Sequence, residues 1–239
     1  MKIINFFNKT IKLNFMTKLI VLIDPNDRNL DQLIEGVNRE QPENTWVGCS
    51  VSNGDQIKDI FERLKTEASL YPGRPDQMIA AGNSAKTIFA PDPLLYDKSI
   101  EPIRKAFLDL ARTFGEKTRF MHYIVLHYEC SAARVLGIDY IAEDQEILKS
   151  LKEKKEHDII YLEAGSRNHD SPIDRRVDLV FKIKNQYPAV EIICGGGITN
   201  LDQALELAQT GCCDHIVVSN AIHQHPKELK QYIQSFKKI

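Results

Sequence analysis

One carboxylate, Glu163, interrupts the otherwise apolar or small-residue segment Tyr161–Leu162–Glu163–Ala164–Gly165–Ser166. At the end of a buried strand, such a group can hold the hydroxyls of a polyol phosphate and take a proton from one of them. The competing reading is a structural glutamate paired with Arg134 or Arg167. Further along, Ile193–Cys194–Gly195–Gly196–Gly197–Ile198 runs into a helix that opens at Asn200, and Ser219–Asn220 closes the last apolar run. Glycines without Cβ let backbone N–H groups approach an anion, and a helix N-terminus adds partial positive charge. These two segments therefore read as a phosphate cradle more than as a mere tight turn. Near the start, Leu22–Ile23–Asp24–Pro25 sets a carboxylate where Pro25 keeps it out of the helical region, and Ser50 closes Val47–Gly48–Cys49–Ser50. Beside phosphates, Asp24 and Ser50 suit Mg²⁺, which takes one or two protein oxygens and completes its shell with phosphate and water. Asp24 as a helix cap and Ser50 as a turn residue stand equally open from the residues alone.

Elements that could bring these residues together alternate along the chain. Short β-branched runs at Leu19–Ile23, Thr45–Cys49, Gln77–Ala81, Ile88–Tyr96, Tyr123–His127, Ile159–Leu162, Glu191–Cys194 and His215–Val218 read as eight strands. Amphipathic segments at Leu30–Arg39, Asp55–Glu67, Ile100–Thr113, Asp144–Lys154, Asp174–Gln186, Asn200–Gln209 and Pro226–Phe236 read as seven helices. Repeated βα units imply a parallel sheet. The expected fold is an α/β (β/α)₈ TIM barrel, with one helix replaced by a loop, Gly82–Thr87, after the third strand. In such barrels function sits at the C-terminal ends of the strands, and the seventh and eighth loops form a common phosphate site. No lysine stands at a strand end, which argues against Schiff-base chemistry.

The 239 residues, 43% hydrophobic and 27% charged, suffice for one barrel domain, expected at 17–239 behind an N-terminal extension at 1–16 expected to be disordered. The extension lacks the continuous apolar stretch and cleavage site of a signal peptide, and its phenylalanines allow at most peripheral membrane contact. Thirty-one Lys and Arg against 33 Asp and Glu give a net charge of −2, which argues against a nucleic-acid partner. Five cysteines without a C-x-x-C pair suggest reduced thiols and a cytoplasmic setting.

Ile23–Asp24–Pro25, Gly48–Cys49–Ser50, Gly82–Asn83–Ser84, Tyr123–Ile124–Val125–Leu126, Tyr161 to Ser166, Gly195 to Ile198 and Val217–Val218–Ser219–Asn220 come in an order and spacing of their own. That ordered set resembles the geranylgeranylglyceryl and heptaprenylglyceryl phosphate synthases over nearly the whole chain after Met16. The resemblance implies transfer of a polyprenyl group from its diphosphate to glycerol 1-phosphate with Mg²⁺, as a step in lipid biosynthesis. It further implies that Asp24 and Ser50 hold the metal and the leaving diphosphate. Tyr161, Leu162, Glu163, Ala164, Gly165, Ser166 and Arg167 would hold the glycerol part, and Gly195, Gly196, Gly197, Ser219 and Asn220 its phosphate. Tyr123 would lie beside the developing allylic cation, where an aromatic face is stabilising. The open side at Gly82–Thr87 would admit the prenyl chain, and a homo-oligomer is compatible with all of this.

The chain departs from that pattern. Cys49 and Ser219 replace glycines, Asn26–Asp27 lacks a usual lysine, Arg167 stands where a small residue often follows, and His127–Tyr128–Glu129 replaces an Asn-Pro and its follower. A guanidinium at 167 beside the acceptor would favour a carboxylate, so 3-phosphoglycerate is an alternative acceptor. Two rivals use the same phosphate loops. A sugar-phosphate isomerase or epimerase would need Asp24 or Glu129 to face Glu163, and a non-catalytic phosphate-ligand binder would need neither.

Overall fold

The computed structural model describes residues 16–48, 50–154, 157–165 and 173–239. The expected extension at 1–16, apart from Met16, lies outside the described residues, as do Cys49, Ser166 and Arg167. In chain order the elements are β1 (Lys18–Ile23), α1 (Leu30–Glu40), β2 (Thr45–Val47), α2 (Gly54–Arg63), β3 (Ser69–Leu70), α3 (Pro75–Ala81), β4 (Ile88–Pro93) and α4 (Glu101–Arg112). There follow β5 (Thr118–Val125), α5 (Ser131–Leu136), α6 (Asp144–Glu153), β6 (Ile159–Glu163), α7 (Ile173–Gln186), β7 (Glu191–Gly195), α8 (Leu201–Gln209), β8 (His215–Val218), α9 (Asn220–Gln224) and α10 (Leu229–Phe236). The eight strands close in sequence order into one parallel barrel, β8 pairing back on β1.

Alternation along each strand divides the core into two layers. Ile20, Trp46, Met121, Tyr123, Tyr161, Ile193 and Val217 fill the barrel. Their neighbours, such as Val21, Val47, Ile124, Leu162, Ile192 and Ile216, pack outward against the helices. Helices start where the sequence supplies caps. Asn53 accepts from the Gln56 N–H and the Gln56 side chain accepts from the Asn53 N–H in return, while Asn200 accepts from the Gln203 N–H.

The segment Gln77–Ala81 is a correction: it is not a strand but part of α3. Pro75 occupies its first turn, Asp76 caps across to the Gly54 N–H, and the Gln77 side chain bridges the Gly73 N–H and the Ser52 carbonyl. A short apolar run does not distinguish a strand from a buried helix, and here the neighbouring proline decides. The true third strand is the two-residue β3, too brief to show alternation. A seven-residue helix thus occupies the β3–β4 connection, and the Gly82–Thr87 loop follows it rather than replacing it.

Candidate active site

At the C-terminal ends of the strands a cavity of about 260 Å³ opens, and most of the expected residues converge on it. Asp24 after β1, Ser50 after β2, Tyr123 from β5, Tyr161 and Glu163 from β6, Gly196 and Gly197 after β7, and Ser219 and Asn220 after β8 all line it. Leu162 points into the outer layer and Ala164 lends only its backbone, its N–H donating to the Gly195 carbonyl at 2.9 Å. Gly165 and Gly195 are not among the lining residues, and each instead touches one that is, Gly165 through its N–H to Glu163 and Gly195 by close packing on the Tyr161 hydroxyl. Glu129 is exposed and is not among the lining residues, whereas Asp24 shares the cavity with Glu163.

Glu163 is buried, and its Oε1 accepts the Gly165 N–H at 2.9 Å. Loss of solvation raises its pKa above the ordinary carboxylate value. The Gly165 hydrogen bond, the charge of Arg176 and the hydroxyls of Tyr161 and Tyr123 oppose that rise without cancelling it. The result is a carboxylate with more than usual appetite for a proton. Among the described residues Arg134 does not pair with it, so the structural-pair reading loses that partner. Burial likewise keeps the phenols of Tyr71, Tyr123 and Tyr161 protonated, the nearby Glu163 charge adding to the effect.

Close packing dictates the glycines. A Cβ on Gly195 would stand 2.0 Å from the Tyr161 hydroxyl, and one on Gly196 would stand 2.0 Å from Glu163 Oε1. Gly48 is equally constrained, because a Cβ there would meet the Tyr71 carbonyl oxygen at 1.8 Å.

Three residues that sequence reasoning did not single out belong to this region. Tyr71, just after β3, stacks on Tyr161 with ring centroids 5.5 Å apart and joins Trp46 and Tyr123 in one aromatic cluster. His223, buried on α9, has its Nε2 3.1 Å from the Asp24 backbone nitrogen and its Nδ1 2.9 Å from Asp27 Oδ2. It ties the β1 end to the β8 end. Arg176, buried on α7, donates from Nη1 to the Gly196 carbonyl at 2.9 Å.

Beside the polar cavity runs an apolar groove of about 190 Å³. Pro72, Pro91, Pro93, Ile103, Phe107 and Val135 are among its walls, and Ser50, Tyr71, Tyr123 and Ala132 border both spaces. The groove runs between the β3 and β4 ends and helices α4 and α5, not through Gly82–Thr87 as expected. That loop is filled: a Cβ on Gly82 would lie 2.5 Å from the Phe114 ring, and Lys117 donates to the Asn83 carbonyl at 2.7 Å.

Asp24 and Ser50 suit a divalent cation on the structure's own terms. Asp24 Oδ1 accepts from the Asn26 backbone and side chain at 2.9 and 3.1 Å, which fixes the carboxylate, and Ser50 lines the same cavity. Among the described residues no three His, Cys, Asp or Glu are grouped to hold a metal unaided. Such an ion would draw its remaining oxygens from a phosphorylated ligand and water. Also among the described residues, no helix is long and apolar enough to cross a membrane.

Comparison with known proteins bears on the family and the fold. The sequence profile of the PcrB family matches residues 14–238. A heptaprenylglyceryl phosphate synthase of Geobacillus thermodenitrificans is 28% identical over 122 residues, 49% of this chain and 47% of that protein, so the chain spans about half the length of this curated relative. A geranylgeranylglyceryl phosphate synthase of Picrophilus torridus is 24% identical over 227 residues, 90% of each chain. Among solved structures, the (S)-3-O-geranylgeranylglyceryl phosphate synthase of Thermoplasma acidophilum, in complex with its substrate sn-glycerol-1-phosphate, superposes with a TM-score of 0.74 at 21% identity. That match covers 93% of this chain and 94% of the other, and at this identity it speaks to the fold.

Proposed function

Because the chain belongs to the PcrB family, we propose that it is a Mg²⁺-dependent prenyltransferase joining a polyprenyl group from its diphosphate to the hydroxyl of glycerol 1-phosphate as an ether. The observation that carries the reading is the junction of two unlike spaces. A polar cavity with a buried carboxylate shares Ser50, Tyr71, Tyr123 and Ala132 as wall residues with an adjoining apolar groove. A phosphorylated polyol fits the first and an isoprenoid chain the second, and the reacting carbon would then lie among aromatic rings. A sugar-phosphate isomerase has no use for the groove.

In this reading Gly196, Gly197, Ser219 and Asn220 bind the acceptor's phosphate, and Tyr161 and Glu163 hold its hydroxyls. Fixing both ends orients the attacking oxygen toward the donor carbon. Glu163 takes the hydroxyl proton as the carbon–oxygen bond forms, and its raised affinity for protons suits that task. The faces of Tyr123 and Tyr71 stand where positive charge builds as the carbon–diphosphate bond breaks. Asp24 and Ser50 would hold Mg²⁺, which supplies neutralisation of the departing diphosphate. The four described cysteines are free thiols, all buried, which fits a cytoplasmic setting.

The test is product analysis by mass spectrometry after incubation with polyprenyl diphosphates of several lengths. Each is paired with glycerol 1-phosphate or 3-phosphoglycerate, with Mg²⁺ or with chelator. A prenyl ether of glycerol phosphate that needs Mg²⁺ is expected. Preference for 3-phosphoglycerate would reassign the acceptor, and no ether from any pair would overturn the transferase reading.

A further inference from the structure

A buried arginine behind the phosphate cradle is the feature that the proposed chemistry leaves unexplained. Arg176 is 2% exposed and among the largest fully buried side chains. Desolvating a guanidinium is costly, so its retention calls for a compensating role. One donor, Nη1, goes to the Gly196 carbonyl at 2.9 Å, and among the described residues the buried Nε has no hydrogen-bond partner.

The consequence lies on the other side of the same peptide unit. No peptide bond among the described residues is cis, so the C=O of Gly196 and the N–H of Gly197 point in opposite directions across one plane. With the carbonyl drawn back to Arg176, the Gly197 N–H is turned away from the guanidinium, and Gly197 is one of the residues lining the polar cavity. Among the described residues it has no acceptor. The positive φ values of Gly196 (+74°) and Gly197 (+65°) are what allow this turn. A cation on the carbonyl also polarises the amide, which makes its N–H a stronger donor. The same charge pulls the Glu163 carboxyl and the Cys212 thiol toward their ionised forms, so its field reaches into the site.

We propose that Arg176 is a positioning residue for the acceptor: it clamps the Gly196–Gly197 peptide so that the Gly197 N–H is aimed at a phosphate monoester, and it places a buried positive charge behind that anion. The inference rests on the acceptor reading of the polar cavity. Arg176 does not touch the acceptor and acts through the peptide.

The experiment is calorimetric titration of wild type, Arg176→Met, Arg176→Gln and Arg176→Lys with glycerol 1-phosphate and with inorganic phosphate, alongside KM for each substrate. Arg176→Met should weaken glycerol 1-phosphate by at least about tenfold, the weight of one charge-assisted hydrogen bond, and leave the donor's KM unchanged. Arg176→Gln keeps a donor without the charge and should fall between, and Arg176→Lys should recover most of the affinity. If Arg176→Met does not fold, the order wild type, Lys, Gln still decides. Wild-type affinity in a folded Met or Gln variant overturns the proposal, as does an equal rise in both KM values. Ether formation by the wild type separates the two readings. A wild type that binds the acceptor in this order but forms no ether supports the clamp and sinks the transferase. A wild type that forms ether while the variants keep their affinity sinks the clamp alone. No binding of either phosphate compound by the wild type overturns both.

Discussion

Replacing Gly196 by alanine adds one methyl group directly against the Glu163 carboxylate. Its Cβ would stand 2.0 Å from Glu163 Oε1 and 2.7 Å from the nitrogen and oxygen of Gly165, well short of ordinary contact. Neither partner yields easily, because Gly165 is backbone and its N–H is itself bound to Glu163. Gly196 also has φ +74°, where a side chain costs about 1–2 kcal/mol. In a chain of this size that strain lowers Tm by roughly 2–8 °C. Displacing the carboxylate by about an ångström should cost on the order of a hundredfold in turnover.

The two effects separate with Gly115→Ala. Gly115 has φ +60°, a Cβ there would have nothing within 4 Å, and the residue lies in the turn before β5, at the opposite end of the barrel. Product formation and thermal melting are measured on both variants. Gly115→Ala should lose stability and keep activity, whereas Gly196→Ala should lose both. A folded Gly196→Ala enzyme with wild-type turnover, or a Gly115→Ala enzyme equally impaired in turnover, would refute the reasoning.

Other perturbations bear on separate parts of the molecule. Glu163→Gln should lower kcat by about 10²–10⁴-fold, the usual weight of a general base, without loss of fold as judged by circular dichroism. Because the folded-state pKa of Glu163 is raised, its contribution to stability is present below the ordinary carboxylate pKa and is lost as pH rises through the folded value. The glutamine variant should therefore melt no lower than wild type at neutral pH, and the acid limb of the wild-type rate profile should lie above the ordinary carboxylate range. At the other end of the barrel, His215 and Arg119 hold the Glu191 carboxyl down to about 2. That stabilisation is complete above the ordinary glutamate pKa and is lost as pH falls toward about 2, so Glu191→Gln should melt like wild type near pH 2 but lower at pH 7. Val135→Trp, on the groove wall and not among the residues lining the polar cavity, should raise KM for long prenyl diphosphates while calorimetry with glycerol 1-phosphate stays unchanged.

The strand ends were legible in the sequence because chemistry there interrupts apolar runs: Asp24 before a proline, Glu163 inside a buried strand, glycines where β7 ends. Alternation of eight strand and seven helix segments pointed to a parallel sheet closed as a barrel, although the third of those strand segments belongs to α3. What stayed hidden depends on packing that pattern does not encode. Tyr71 was missed because β3 is two residues long and a proline-started helix behind it carries the apolar run. Arg176 sits in the charged stretch Ile173–Gln186, which reads as an amphipathic helix; nothing local marks this arginine, among the many charges there, as the one that is buried and bonded to the Gly196 carbonyl. His223 is a single histidine on a five-residue helix, and nothing local marks it as the link between β1 and β8. The groove was misplaced because Gly82–Thr87 lacks apolar periodicity, yet Phe114 and Lys117 close it from outside.

The most direct test of the central claim is the stoichiometry of a single reaction mixture holding wild-type protein, a polyprenyl diphosphate, glycerol 1-phosphate and Mg²⁺, with released diphosphate and prenyl ether quantified together. Equal amounts of the two are expected, and neither in the Glu163→Gln variant beyond a trace. Diphosphate released with prenyl alcohol in place of ether, or no release at all by folded protein, would contradict the claim.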